Sequence, residues 1–90
     1  MMDIKIFEDL EFKAHSAGIG GVQAIIAFDN GYGASVVRTP FTYGGRDGLY
    51  ELAVLDKDGN ITYETEITDD VIGYLEEDMV SEILIRIQQL

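Results

Sequence analysis

The chain has 90 residues, 47% of them hydrophobic, with 17 acids against six Lys and Arg, a formal net charge of −11 and no cysteine. That length supports one domain over residues 1–90, burying roughly 60–65% of the surface its unfolded form exposes. The absence of cysteine excludes a disulfide framework and a thiolate zinc site, and the charge excludes broad electrostatic binding of nucleic acid or anionic membrane.

Along the chain, "MMDIKIFEDLEF" mixes charges into its apolar residues and does not read as a secretory leader. No apolar run approaches the roughly 18–20 residues needed to span a bilayer, so a cytoplasmic protein without a membrane partner is expected. "LEFKA" (10–14) alternates apolar and polar residues and adds a candidate strand, and the glycine-rich "SAGIGG" (16–21) reads as a connection.

"VQAIIAF" and "YGASVVR" flank Asp29, Asn30 and Gly31, which predicts a hairpin closed by a type I′ Asn-Gly turn. In that register Val22, Ala24, Ile26 and Phe28 share a core face with Gly33, Ser35 and Val37. A second hairpin is predicted from "LYELAVL" (49–55) through "DKDGN" into "ITYETEI" (61–67), with Gly59 in the left-handed position and Ala53 and Leu55 facing Ile61 and Tyr63. Thr68 is expected to cap a short turn through "DDVIG", stopped by Gly73.

The tail changes period. From Glu76, the residues Met79, Val80, Ile83, Leu84, Ile87 and Leu90 fall within about 140° of arc at about 100° per residue, the pattern of an amphipathic helix. Ile85 projects off that stripe and is expected to be partly exposed or to serve self-association. The expected fold class is α+β: an antiparallel sheet of four or five strands, built on two hairpins, with the C-terminal helix on one face.

Several patterns suggest chemistry and fall short of it. "DKDGN" opens like a calcium loop, but counting from Asp56 the sixth position is Ile61 where glycine is needed, and the twelfth is Ile67 where a bidentate glutamate is needed. "GIGG" and "GYG" fit neither the dinucleotide fingerprint nor the P-loop. His15 stands without a recognisable nucleophile motif at Ser16 or Ser35. No metal, cofactor or catalytic residue is assigned, and the protein is expected not to be an enzyme.

Two features point to binding. "RTPFTYGGRDG" gathers Arg38, Phe41, Tyr43 and Arg46 with the single proline and three glycines, and aromatics and arginine dominate interface hot spots. Between Asp58 and Ile85 there are nine acids, among them Asp69, Asp70, Glu76, Glu77 and Asp78, and no base. The acids predict a protein partner with a basic surface. An alternative reading is a small-ligand protein, in which Arg38 and Arg46 hold phosphates of a nucleotide and Phe41 or Tyr43 stacks on its base.

The stretch "FDNGYGASVVRTPFTYGGRDGLYELAVLDKDGNITYETEITDDVIGYL", with the helix after it, resembles small acidic proteins encoded by phages and prophages, over about two thirds of the chain. The resemblance implies a non-enzymatic accessory protein in the host-cell cytoplasm. Such a protein would inhibit a host protein such as a defence nuclease, in the manner of anti-CRISPR or anti-restriction proteins. No site residue is carried over from it. A homodimer, formed through Ile85 or an uncovered edge strand against the repulsion of the net charge, is also expected.

Overall fold

Three six-residue strands form the middle of an antiparallel sheet, and the last of them is buried on both faces from Leu52 to Leu55. In the computed structural model, which describes residues 4–15, 20–67 and 71–90, they are β2 (Val22–Ala27), β3 (Gly33–Arg38) and β4 (Tyr50–Leu55). A two-residue β1 (Lys13–Ala14) and a four-residue β5 (Ile72–Leu75) flank them, in the order β1-β2-β3-β4-β5 with every neighbour antiparallel. The helix α1 (Glu77–Gln88) follows β5 after one residue and packs on the sheet, so the expected α+β class holds. No helix among the described residues is long and apolar enough to cross a membrane.

The core lies between that helix and one sheet face. Ala34 and Val36 of β3, Tyr50, Leu52 and Val54 of β4, and Leu75 of β5 meet Val80, Ile83, Leu84 and Ile87 of α1. The four helical residues recur at the i, i+3, i+4, i+7 spacing of a single stripe. Met79, expected in that stripe, is 42% exposed. It sits about 90° from the centre of the four buried positions, at about 100° per residue, and therefore at the margin of the contact.

The N-terminal segment straps the flank of α1. The Phe7 amide donates to Ser81 Oγ, while Gln88 accepts from the Lys5 amide and donates to the Lys5 carbonyl. Ile85 lies between Ser81 and Gln88 at i, i+4, i+7 on this same flank and is half-buried. That agrees with the expected partial exposure of Ile85.

The first hairpin differs from its expected register. Phe28 N–H donates to the Tyr32 carbonyl at 2.8 Å and Gly31 N–H to the Phe28 carbonyl at 3.2 Å, closing a three-residue loop, Asp29–Asn30–Gly31, with Gly31 at φ +91°. A type I′ turn needs positive φ at Asn30 as well, and Tyr74 is the sole non-glycine with positive φ among the described residues. The pairing becomes Ala24 with Val36 and Ile26 with Ala34. One residue of slip exchanges the faces of a strand, so Ala34 and Val36 enter the core in place of Gly33, Ser35 and Val37.

The second hairpin closes as expected and then departs. Asp56 N–H donates to the Asn60 carbonyl at 2.8 Å, Gly59 takes φ +82°, and Leu55 bridges Ile61. After Thr62, whose amide donates to the Val54 carbonyl, the chain leaves β4; residues 63–67 form no strand, and the edge is completed by β5, with Ile72 opposite Leu52 and Leu75 opposite Tyr50. Continuing the Leu55–Ile61 register would set Glu64 opposite Leu52 and Glu66 opposite Tyr50, on the helix-covered face. Burying two unpaired carboxylates there costs far more than an interrupted ladder. Gly73, expected to stop a turn, therefore lies inside β5. The proposed cap at Thr68 falls outside the described residues.

β1 covers only Val22 and Gln23, so among the described residues the outer edge of β2 from Ala24 to Ala27 has no partner strand, and Ile25 is 67% exposed.

The observed register has a direct test. Val36→Ala should cost at least about 1.5 kcal/mol, the transfer value of two buried methyl groups before any cavity penalty, and Val37→Ala distinctly less. Urea unfolding of both variants measures it; equal losses, or a larger loss at Val37, would restore the two-residue turn.

Candidate functional site

The segment between β3 and β4 is built by hydrogen bonds rather than left slack. Thr39 is 3% exposed; its hydroxyl accepts from the Phe41 amide, its amide donates to Thr42 Oγ1, and Thr42 Oγ1 donates back to its carbonyl. A Cβ at Gly45 would overlap the Thr39 carbonyl oxygen, so this position admits no side chain. The 3₁₀ turn Gly45–Asp47 follows, bracketed by left-handed Gly44 and Gly48, and Arg46 Nε donates to the Pro40 carbonyl at 3.2 Å. The glycine-rich segment is a hydrogen-bonded platform.

Its rings face outward. Phe41 is 74% exposed and Tyr43 61% exposed, so neither closes over the sheet edge as a lid. Tyr43 is held at its backbone: the amide donates to Glu51 Oε2 at 2.8 Å, and the carbonyl accepts from the Tyr74 amide at 3.2 Å.

Tyr74 was not singled out in the sequence. Between the pairs Leu52–Ile72 and Tyr50–Leu75, two residues of β5, Gly73 and Tyr74, oppose the single residue Glu51, which is a β-bulge. The bulge places Tyr74 at φ +57°, an unusual conformation for a large side chain, and turns its ring outward, 60% exposed, with its centroid 6.5 Å from that of Tyr43. Gly73 is required here because a Cβ would collide with the Cβ of Tyr43. The signal for this site was "IGYL" after an acidic run that could not continue the strand, and reading it required knowing which face of β4 the helix covers.

The other expected site residues divide. Arg46 lies on the platform beside the rings. Arg38 ends β3 on the core face, its guanidinium 5.2 Å from the Tyr50 ring and Nη1 3.4 Å from Tyr50 Oη, beside the ring cluster of Phe7, Phe12 and Tyr50. It is thus engaged as a cation–π partner and does not join Arg46. Glu76 is the extended N-cap residue of α1, with Glu77 and Asp78 in the first turn, where they complement the helix dipole; all three are exposed. They begin two residues after Tyr74, so β5 joins the aromatic and acidic features. Asp69 and Asp70 lie outside the described residues.

The depression beside the rings, lined by Pro40, Thr42, Tyr43, Gly44, Arg46, Asp47 and Tyr74, measures about 220 Å³. Sites for small molecules run from roughly 300 to 1,000 Å³ and bury most of the ligand, so this geometry suits a protruding side chain better than a nucleotide. No group of three or more His, Asp or Glu able to hold a metal ion occurs among the described residues. Comparisons of the chain with protein-family models, curated proteins and solved structures find no match.

Thermal melts test this architecture. Phe41→Ala should shift stability by no more than about 0.5 kcal/mol, and Tyr43→Ala should cost about 1 kcal/mol through loss of its aromatic neighbour. At position 74, Gly should exceed Ala in stability by about 1 kcal/mol, because only glycine adopts the left-handed region freely; Ala as the more stable variant would contradict the bulge.

Proposed function

We propose that the protein is a non-enzymatic binding protein that anchors the exposed rings Phe41, Tyr43 and Tyr74 on a protein partner with a basic surface. The observation that carries this reading is Tyr74 at φ +57° with its ring in solvent beside Tyr43. A strained, exposed aromatic is paid for by the fold without burying apolar surface, and such strain concentrates at functional sites. Rigid tyrosines supply large contact area at low entropic cost.

The charge supports the partner's sign. The net charge of −11 raises encounter rates with a cationic surface, and Glu76, Glu77 and Asp78 lie next along the chain from the ring platform. A groove that normally takes nucleic acid carries such a surface, and the acids compete for it. The resemblance to phage-encoded proteins extends this to inhibition of a host nuclease, in the manner of anti-CRISPR or anti-restriction proteins. Under this reading the protein works in the host cytoplasm, with no cofactor and no direct nucleic-acid contact. The exposed Ile25 on the outer edge of β2 is the surface a homodimer would use.

Affinity capture from bacterial lysate tests the reading. The wild-type chain should retain a partner that elutes as salt is raised, and Phe41→Ala, Tyr43→Ala and Tyr74→Ala should each weaken retention by about 1–3 kcal/mol. Charge reversal at Glu76, Glu77 and Asp78 should slow association more than it speeds release. A partner held equally by the triple alanine variant would remove the rings from the interface.

A further inference from the structure

The hairpin tip at Asn30 is also the C-terminal clasp of α1. Asn30 Nδ2 donates to the Ile87 carbonyl at 2.8 Å and the Leu90 carbonyl at 3.4 Å, while its Oδ1 accepts from the Tyr32 amide at 3.0 Å. The last carbonyls of a helix have no intrahelical donor, and the negative end of the helix dipole favours a donor there. One side-chain amide thus joins the Leu90 amide as a donor to the Ile87 carbonyl in the last turn, reaches the main-chain oxygen of Leu90 just beyond the helix, and shapes its own loop.

Gly31 follows Asn30, and this dipeptide carries its own chemistry. The Gly31 nitrogen can attack Asn30 Cγ, forming the N–Cγ bond and breaking Cγ–Nδ2, with ammonia leaving and the proton of the Gly31 amide lost. Water then opens the five-membered imide. Cleavage at Cγ gives aspartate, and cleavage at the backbone carbonyl gives isoaspartate, which lengthens the main chain by one atom. Attack requires a free amide and a side chain able to swing onto it. In the fold the Gly31 N–H donates to the Phe28 carbonyl, and both ends of the Asn30 amide are held.

We propose that Asn30–Gly31 is a deamidation site whose reactivity is governed by the docking of the β2–β3 tip on the end of α1. Docked, the pair is protected; when the tip opens, it reacts. The product cannot re-dock: a carboxylate has no donor for the Ile87 and Leu90 carbonyls and sets negative charge against the negative helix end. Conversion, once per chain and irreversible, therefore leaves the tip of that chain undocked. The inference is independent of the aromatic platform and of any partner.

Intact wild-type protein held at mildly alkaline pH and 37 °C, with and without urea, is mapped by peptide mass spectrometry for the conversion of amide to acid at position 30. Conversion in native buffer should be at least about tenfold slower than in urea, the ratio being set by the local opening equilibrium. Equal rates would overturn the protection. Asn30→Ala loses the donor, whereas Asn30→Asp also introduces the repulsion, so Asn30→Asp should melt lower and exchange the amides of the last helical turn faster. Asn30→Asp as stable as Asn30→Ala would overturn the release step, and should either variant fail to fold, the wild-type rates still decide.

Discussion

The outer edge of β4 is the constraint from which the second half of the molecule follows. Leu52 and Tyr50 face the helix and are buried, so any strand that pairs with them must present apolar side chains at the opposing positions. The residues that follow the Asp56–Asn60 turn offer Glu64 and Glu66 there. The pairing begun by Ile61 and Thr62 is abandoned, and Ile72 and Leu75 take the positions, with Leu75 in the core. An apolar face with no tolerance for unpaired carboxylates thereby sets where the last strand starts. Because one residue separates it from α1, that strand also sets where the helix begins.

The aromatic platform is a consequence of that late return. β5 does not meet β4 in a regular ladder: it accommodates Gly73 and Tyr74 opposite Glu51, and Glu51 uses its carboxylate to hold the Tyr43 amide. Two segments far apart in sequence are joined by the hydrogen bond from the Tyr74 amide to the Tyr43 carbonyl. The left-handed backbone at Tyr74 disfavours the fold by about 1–2 kcal/mol, a sizeable share of the marginal stability of a small domain. A glycine would remove that strain. Within the chain the exposed tyrosine ring gains the neighbouring ring of Tyr43.

A different logic governs the opposite end of the sheet. There the helix terminus, the hairpin tip and the N-terminal strap are joined by polar contacts: Asn30 to Ile87 and Leu90, and Gln88 to both backbone groups of Lys5. These replace the capping glycine that commonly ends a helix. They make the end of α1 depend on two other segments at once, so a chemical change at the tip is felt at the helix. The acidic first turn of α1 stands clear of these contacts, with its charges free to act at a distance.

The sequence by itself determined the local elements: the three long strands, the 3.6-residue repeat of α1, and the turn at Asp56–Asn60 with Gly59 left-handed. Each follows from local sterics and from burying one face of one element. Pairing across elements was decided by tertiary structure. Whether Asn30–Gly31 closed a two- or three-residue loop depended on Asn30 reaching carbonyls 57 and 60 residues away. Arg38 is separated from Arg46 because β3 in the slipped register set it over Tyr50, and Tyr74 joined Tyr43 because β4 rejected the nearer strand. The charges of Glu64 and Glu66 were legible throughout. Their consequence was not, because it required knowing which face of β4 the helix would cover, and only the packing of α1 supplies that.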